Sequence, residues 1–166
     1  MRRFARRLEQ QKRRKTGSQI AEFGPALWVL LIFIFFPMVD LLSMGVSYGL
    51  CMVLNYNQVR EASLLPNAEA NSPSGTVKKG IPDKWIAGMG QFTNRTAYPA
   101  TTITYRDGET DNNKTVDKIV GVSTTVTCHP FLPIPIPVAS IPGINGPMTF
   151  TVFSECPMEN PDYAQP

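Results

Sequence analysis

Charge is scarce in this chain, and so are the residues on which catalysis depends. Asp, Glu, Lys and Arg make up 17% of the 166 residues, against roughly 25% in an ordinary soluble domain. The one histidine, His129, precedes a proline, and no serine or cysteine motif accompanies it that would make it a general base. Glycine-rich phosphate loops, zinc-ligand spacings and catalytic carboxylate pairs are all missing. No enzyme activity, cofactor or metal is therefore expected. The acidic run Asp107-Gly108-Glu109-Thr110-Asp111-Asn112 lacks the ligand order of a calcium loop and reads as a solvated turn. An excess of positive charge is confined to one short stretch. Arg2, Arg3, Arg6, Arg7, Lys12, Arg13, Arg14 and Lys15 crowd the first sixteen residues against Glu9 alone, and everything after them is net acidic. Nucleic acid is excluded as a partner, because phosphate binding needs positive charge spread over a folded surface.

What the chain has instead is a long uncharged run. Phe23 to Val39 carries no charge, and after Asp40 none appears until Arg60. A hydrocarbon core takes about 20 helical residues, so the stretch from Phe23 to about Leu42 can span it. The basic residues ahead of it place the N-terminus in the cytoplasm and the rest of the chain outside. An ordinary secretory signal has a shorter apolar core and a small-x-small cut site, and here Tyr48 stands between Ser47 and Gly49. A lipoprotein signal needs a small residue before its cysteine, but Leu50 precedes Cys51.

A third kind of signal, cut on the cytoplasmic side, fits better. The stretch Lys12-Arg13-Arg14-Lys15-Thr16-Gly17-Ser18-Gln19-Ile20-Ala21-Glu22-Phe23 resembles a type IV prepilin processing site: a basic leader, Gly17 before the cut, and Glu22 as the fifth mature residue, followed by aromatic Phe23. From Gly17 to about Leu64 the chain is similar to the TadE-like family of tight-adherence (Flp) pilus-assembly proteins, through that head, Pro37 and Asp40 beyond it, and Asn55-Tyr56-Asn57-Gln58-Val59-Arg60-Glu61-Ala62 at the helix end. A weaker match is the Val/Thr strand running into Cys128-His129-Pro130-Phe131-Leu132-Pro133, followed by Met148 to Glu155. Gly24-Pro25 and Asp at position 40 depart from the typical pattern. The resemblance implies a minor pilin or pseudopilin, a substrate of prepilin peptidase, whose partners are the membrane, other pilus subunits and the assembly platform. It implies a bacterial inner-membrane protein with a cytoplasmic N-terminus. The alternative is an uncleaved single-pass signal-anchored envelope protein with a partner-binding outer domain.

Local chemistry adds detail. Pro37, lacking an N–H, predicts a kink inside the span, and Asp40 reads as an acid near its outer edge, either solvated or facing a partner. The helix continues past the bilayer, where Leu42, Val46, Gly49, Val53, Tyr56 and Val59 form a stripe that wants a partner, either the chain's own domain or another helix. Gly45-x-x-x-Gly49 permits close helix approach. Pro66 ends the pattern. Residues 66–100 read as a Pro/Gly-rich connector holding one helical turn from Pro82 to Ala87, with Trp85 and Phe92 covering a β core. Period-two patterning then predicts strands at 101–105, 116–128 and 148–156, with a hairpin loop from Arg106 to Asn113 and a proline-rich connection from His129 to Pro147. Residues 1–17 are thus a basic leader, 18–65 a hydrophobic helix, 66–100 a connector and 101–166 a small β-rich extracytoplasmic domain. The expected class is α+β, a long N-terminal transmembrane helix followed by a small antiparallel β-rich extracytoplasmic domain. Cys128 and Cys156 share the inward faces of two strands, and a disulfide between them is expected, although a simple antiparallel hairpin would hold them apart.

Overall fold

The computed structural model describes residues 23–110, 116–132 and 140–164. They divide into two compact units, one ending at Val39 and one beginning at Asp40. The helix α1, Phe23–Leu64, enters both and is long and apolar enough to cross a membrane. Its most apolar window is only 11% buried, which is the reverse of a soluble core helix. In the first unit Phe23, Trp28, Phe33 and Ile34 all stand exposed. Pro25 falls in the first described turn of the helix. The irregularity expected at Pro37 takes the form of a π turn, Leu31–Phe35, in which the Phe36 N–H donates to Leu31 O. A wider turn just ahead of the ring relieves its clash with the preceding carbonyls.

In the second unit α1 packs on a three-stranded antiparallel sheet of order β1-β2-β3, with β1 at Ala100–Thr110, β2 at Val116–Cys128 and β3 at Met148–Pro157. This is the α+β arrangement. Val120, Val122, Val126 and Cys128 of β2, and Phe150 and Val152 of β3, face inward and are buried, as a period of two requires. The outer face carries paired threonines, Thr125 with Thr151 and Thr127 with Thr149. Two apolar clusters form beneath the sheet. One gathers Met44, Cys51, Leu54, Trp85, Val126 and Cys128, and the other Val59, Ala62, Val77, Ile103, Val120 and Val122. Later helix residues therefore meet earlier strand residues, so α1 and β2 run in opposite directions.

Three expectations are corrected here. The segment 66–100 is no loose connector: it folds into α2 (Asn67–Ala70), a π turn (Thr76–Gly80), α3 (Ile81–Ala87) and a 3-10 turn (Met89–Phe92). It is held because Ala70, Val77 and Trp85 enter the core, with Trp85 Nε1 donating to Leu50 O at 3.1 Å, whereas Phe92 points out at 79% exposure. Strand β1 runs beyond Tyr105 through Asp107-Gly108, which absorb a register shift between Asp107 and Thr110 instead of turning the chain. Cys128 and Cys156 do not pair. Cys128 lies opposite Met148 and Cys156 opposite Val120, so eight positions of β3, about 26 Å at strand rise, separate them along the sheet. All three cysteines are free thiols, Cys51 and Cys128 buried.

Candidate functional site

The helix face turned toward the sheet is unexpectedly polar. Asp40, Ser47, Asn55, Gln58 and Ser63 are buried on it among Met44, Cys51, Leu54, Val59 and Ala62. Asn55 Nδ2 lies 2.9 Å from Val122 O, 3.0 Å from Thr124 Oγ1 and 3.2 Å from Val152 O. Gln58 Nε2 donates to Val77 O at 2.7 Å and Thr101 Oγ1 at 2.8 Å, while Gln58 Oε1 accepts from the Thr124 hydroxyl at 2.7 Å. The amide donors and the Gln58 oxygen are partnered, whereas Asn55 Oδ1 and Asp40 Oδ2 are buried without a hydrogen-bond partner among the described residues. The two amides form a layer between the two apolar clusters and set the helix at one position along the sheet.

The expected apolar stripe faces the other way. Leu42 is 70% exposed, Val46 50% and Tyr56 63%, with Val53 also open. Val59 alone of that stripe turns inward. Periodicity placed the stripe correctly on one side of the helix, but the sheet took the neighbouring side, where side-chain amides could reach strand carbonyls. Gly45 and Gly49 belong to the open side, since a Cβ added at either meets nothing within 4 Å. Asp40 is not solvated: it is fully buried, its Oδ1 accepts the Leu132 N–H at 2.7 Å, and its Oδ2 has no hydrogen-bond partner among the described residues.

Phe23 is described and exposed at 65%, whereas Gly17, Ser18 and Glu22 of the expected processing site lie outside the described residues. Asn55 and Gln58 were visible in the sequence only as part of the helix-end resemblance. They stand there beside a third amide, the exposed Asn57, so spacing alone did not single them out. Open grooves flank the end of α1, one beside Arg60, Lys84 and Trp85, the other beside Tyr56, Cys156 and Glu159. Neither brings His129 to a nucleophile. No group of three or more His, Cys, Asp and Glu side chains able to hold a metal forms among the described residues. Burial raises the Cys128 thiol above its ordinary pKa, with the Ser47 hydroxyl and the Arg95 charge pulling the other way. This thiol is a packed side chain with little nucleophilic character. What the arrangement can do is present a helix with one face packed on the sheet and the other bare. No family model, curated protein or solved structure matches the chain.

Proposed function

We propose that the protein is a pilin-like subunit, a minor pilin or pseudopilin of a tight-adherence type IV pilus assembly system, held in the bacterial inner membrane with its N-terminus in the cytoplasm and cut by prepilin peptidase after Gly17. The observation that carries this reading is the two-faced distal half of α1. Beyond the residues a bilayer needs, the helix turns a polar face to its own sheet and leaves Val46, Val53 and Tyr56 uncovered. A plain anchor has no use for an apolar stripe in water, whereas a subunit that bundles with other helices buries it. The mechanism is mechanical. Removal of the leader exposes the α-amine of Ser18, the apolar helix leaves the lipid for a bundle, and Glu22 of one subunit pairs with the Ser18 amine of the next in a setting of low dielectric. The β domain faces outward and carries no chemistry.

N-terminal sequencing and the mass of the membrane-extracted protein test this directly. The expected mature chain begins at Ser18, Gly17→Ala leaves the long form, and Glu22→Ala is still cut but no longer co-purifies with other pilus subunits. A wild-type chain that keeps its basic leader sinks the pilin reading and leaves an uncleaved signal-anchored envelope protein.

A further inference from the structure

Because α1 and β2 run in opposite directions, the end of β2 and the start of β3 return to the part of the helix that follows Asp40. Two contacts fix the connection there. The Leu132 N–H is held by Asp40 Oδ1 at 2.7 Å, and Gly143 sits so close to the next helical turn that a Cβ on it would lie 3.5 Å from Met44 Cγ. A span beginning at Phe23 ends near Leu42, so both contacts fall at the level where the bilayer stops.

The segment that leaves β2 is apolar and carries no charge of its own, and the one charged side chain placed beside the end of β2 is that of Arg95, whose backbone pairs with Cys128. Phe131 is 65% exposed, and Leu132, Ile141, Leu41 and Leu42 are exposed too. Between Lys118 and Glu155 the sequence holds no Asp, Glu, Lys or Arg. The opposite end of the sheet carries Arg106, Asp107, Asp117, Lys118 and Glu159. A loop that met only water would have no reason to hold Phe131 and Leu132 out, and a long basic side chain such as Arg95 is compatible with a membrane boundary, where its stem lies along apolar surface and its head stays in water.

We propose that the segment leaving β2 lies on the outer leaflet of the bilayer that α1 crosses, with Phe131 and Leu132 seated where headgroups meet acyl chains. The occupant is lipid, and because the segment is uncharged the contact is with the apolar boundary and not with an anionic headgroup. Asp40 is the tether that sets the depth: its carboxylate holds the Leu132 amide one residue beyond the uncharged run. This inference rests on the reading of α1 as a membrane span.

The test is tryptophan emission of the full chain in phosphatidylcholine vesicles, with and without bromine near the top of the acyl chains. Three proteins are compared: wild type, Phe131→Trp, and Phe153→Trp, which replaces an exposed side chain on the outer face of β3. Wild-type emission comes from Trp28 in the apolar run and Trp85 in the domain, and its Trp28 share reports the span by itself. The expected result is loss of most of the emission added by Phe131→Trp and of none added by Phe153→Trp. If Trp28 is quenched and the tryptophan added at 131 is not, the loop proposal is overturned while the span reading stands. If neither is quenched, the span reading fails and takes the proposal with it. Equal quenching at 131 and 153 also overturns it, because the domain then lies flat on the lipid.

Discussion

Asn55 has two amide hydrogens and three acceptors within reach, so its donors are shared between the sheet carbonyls of Val122 and Val152 and the Thr124 hydroxyl. Removing it takes a donor from each of them, although the Thr124 hydroxyl keeps its bond to Gln58 Oε1. Asn55→Ala is expected to lower stability by about 2–3 kcal/mol, since a buried acceptor left without a partner costs more than the mean hydrogen bond contributes. Thr125→Ala on the outer face should change it by less than about 0.5 kcal/mol. Urea unfolding of the full chain in detergent, followed by Trp85 emission, separates the two, and equal midpoints would remove the polar layer from the account. Gly90 is constrained by close approach: a Cβ there would lie 2.6 Å from the Trp85 ring and 2.8 Å from Trp85 O. The backbone carbonyl cannot step aside as a side chain can, so Gly90→Ala should cost about 1–3 kcal/mol in the same assay. Cys128 supplies a pH dependence. Its folded pKa lies above the unfolded one because burial disfavours the thiolate. The thiol's contribution is therefore complete below the unfolded value of about 8.5 and is lost as pH rises through the folded value. Unfolding midpoints should fall on alkalinisation, and fall less steeply in Cys128→Ala.

At the scale of the element, Gly45 and Gly49 offer a clean experiment because the chain's own fold does not use them. Alanine at a helix interior is favoured over glycine by roughly 0.5–1 kcal/mol, and a Cβ meets nothing at either position. Gly45→Ala and Gly49→Ala should raise the thermal midpoint of the isolated protein slightly while weakening co-purification with partner subunits. Unchanged association would remove the glycine pair from any interface. The elements themselves were legible to different degrees, for physical reasons. Strand β2 was readable to both ends because alternating valines and threonines leave a period of two little competition. Strand β1 overran its expected end because Asp107-Gly108, a turn signal in isolation, sits opposite a strand that supplies partners past it. Which face of α1 is buried was left open between the chain's own domain and another helix, because hydropathy counts Asn55, Gln58 and Ser47 as outward residues, and only the assembled sheet provides the carbonyls that bring the amides in. Residues 66–100 looked like linker because their apolar groups are too widely spaced to form a stripe, yet Val77 and Trp85 each fill a gap that long-range packing creates. The disulfide expectation failed on register, which matching faces cannot reveal. Of the candidate site, the open stripe and the glycine pair were readable, whereas the burial of Asp40 depended on a backbone amide ninety-two residues away.

For the whole molecule, orientation follows from the basic leader. A reporter active only outside the cytoplasm should work when fused after Pro166, and one active only inside should not; the reverse pattern contradicts the charge argument and the proposed function together. The described parts also have a mechanical grain. In the second unit the helix lies along β2 and is fastened midway by Asn55 and Gln58, whose bonds reach β1, β2, β3 and the Val77 turn. A pull along the helix axis loads those bonds side by side, in shear, so they must give way together and not in succession. A pull across the axis would peel them one at a time. The fold is therefore strong along its length and weak across it, so a subunit drawn lengthwise out of a membrane would keep its β domain attached under forces that would strip the same helix away sideways.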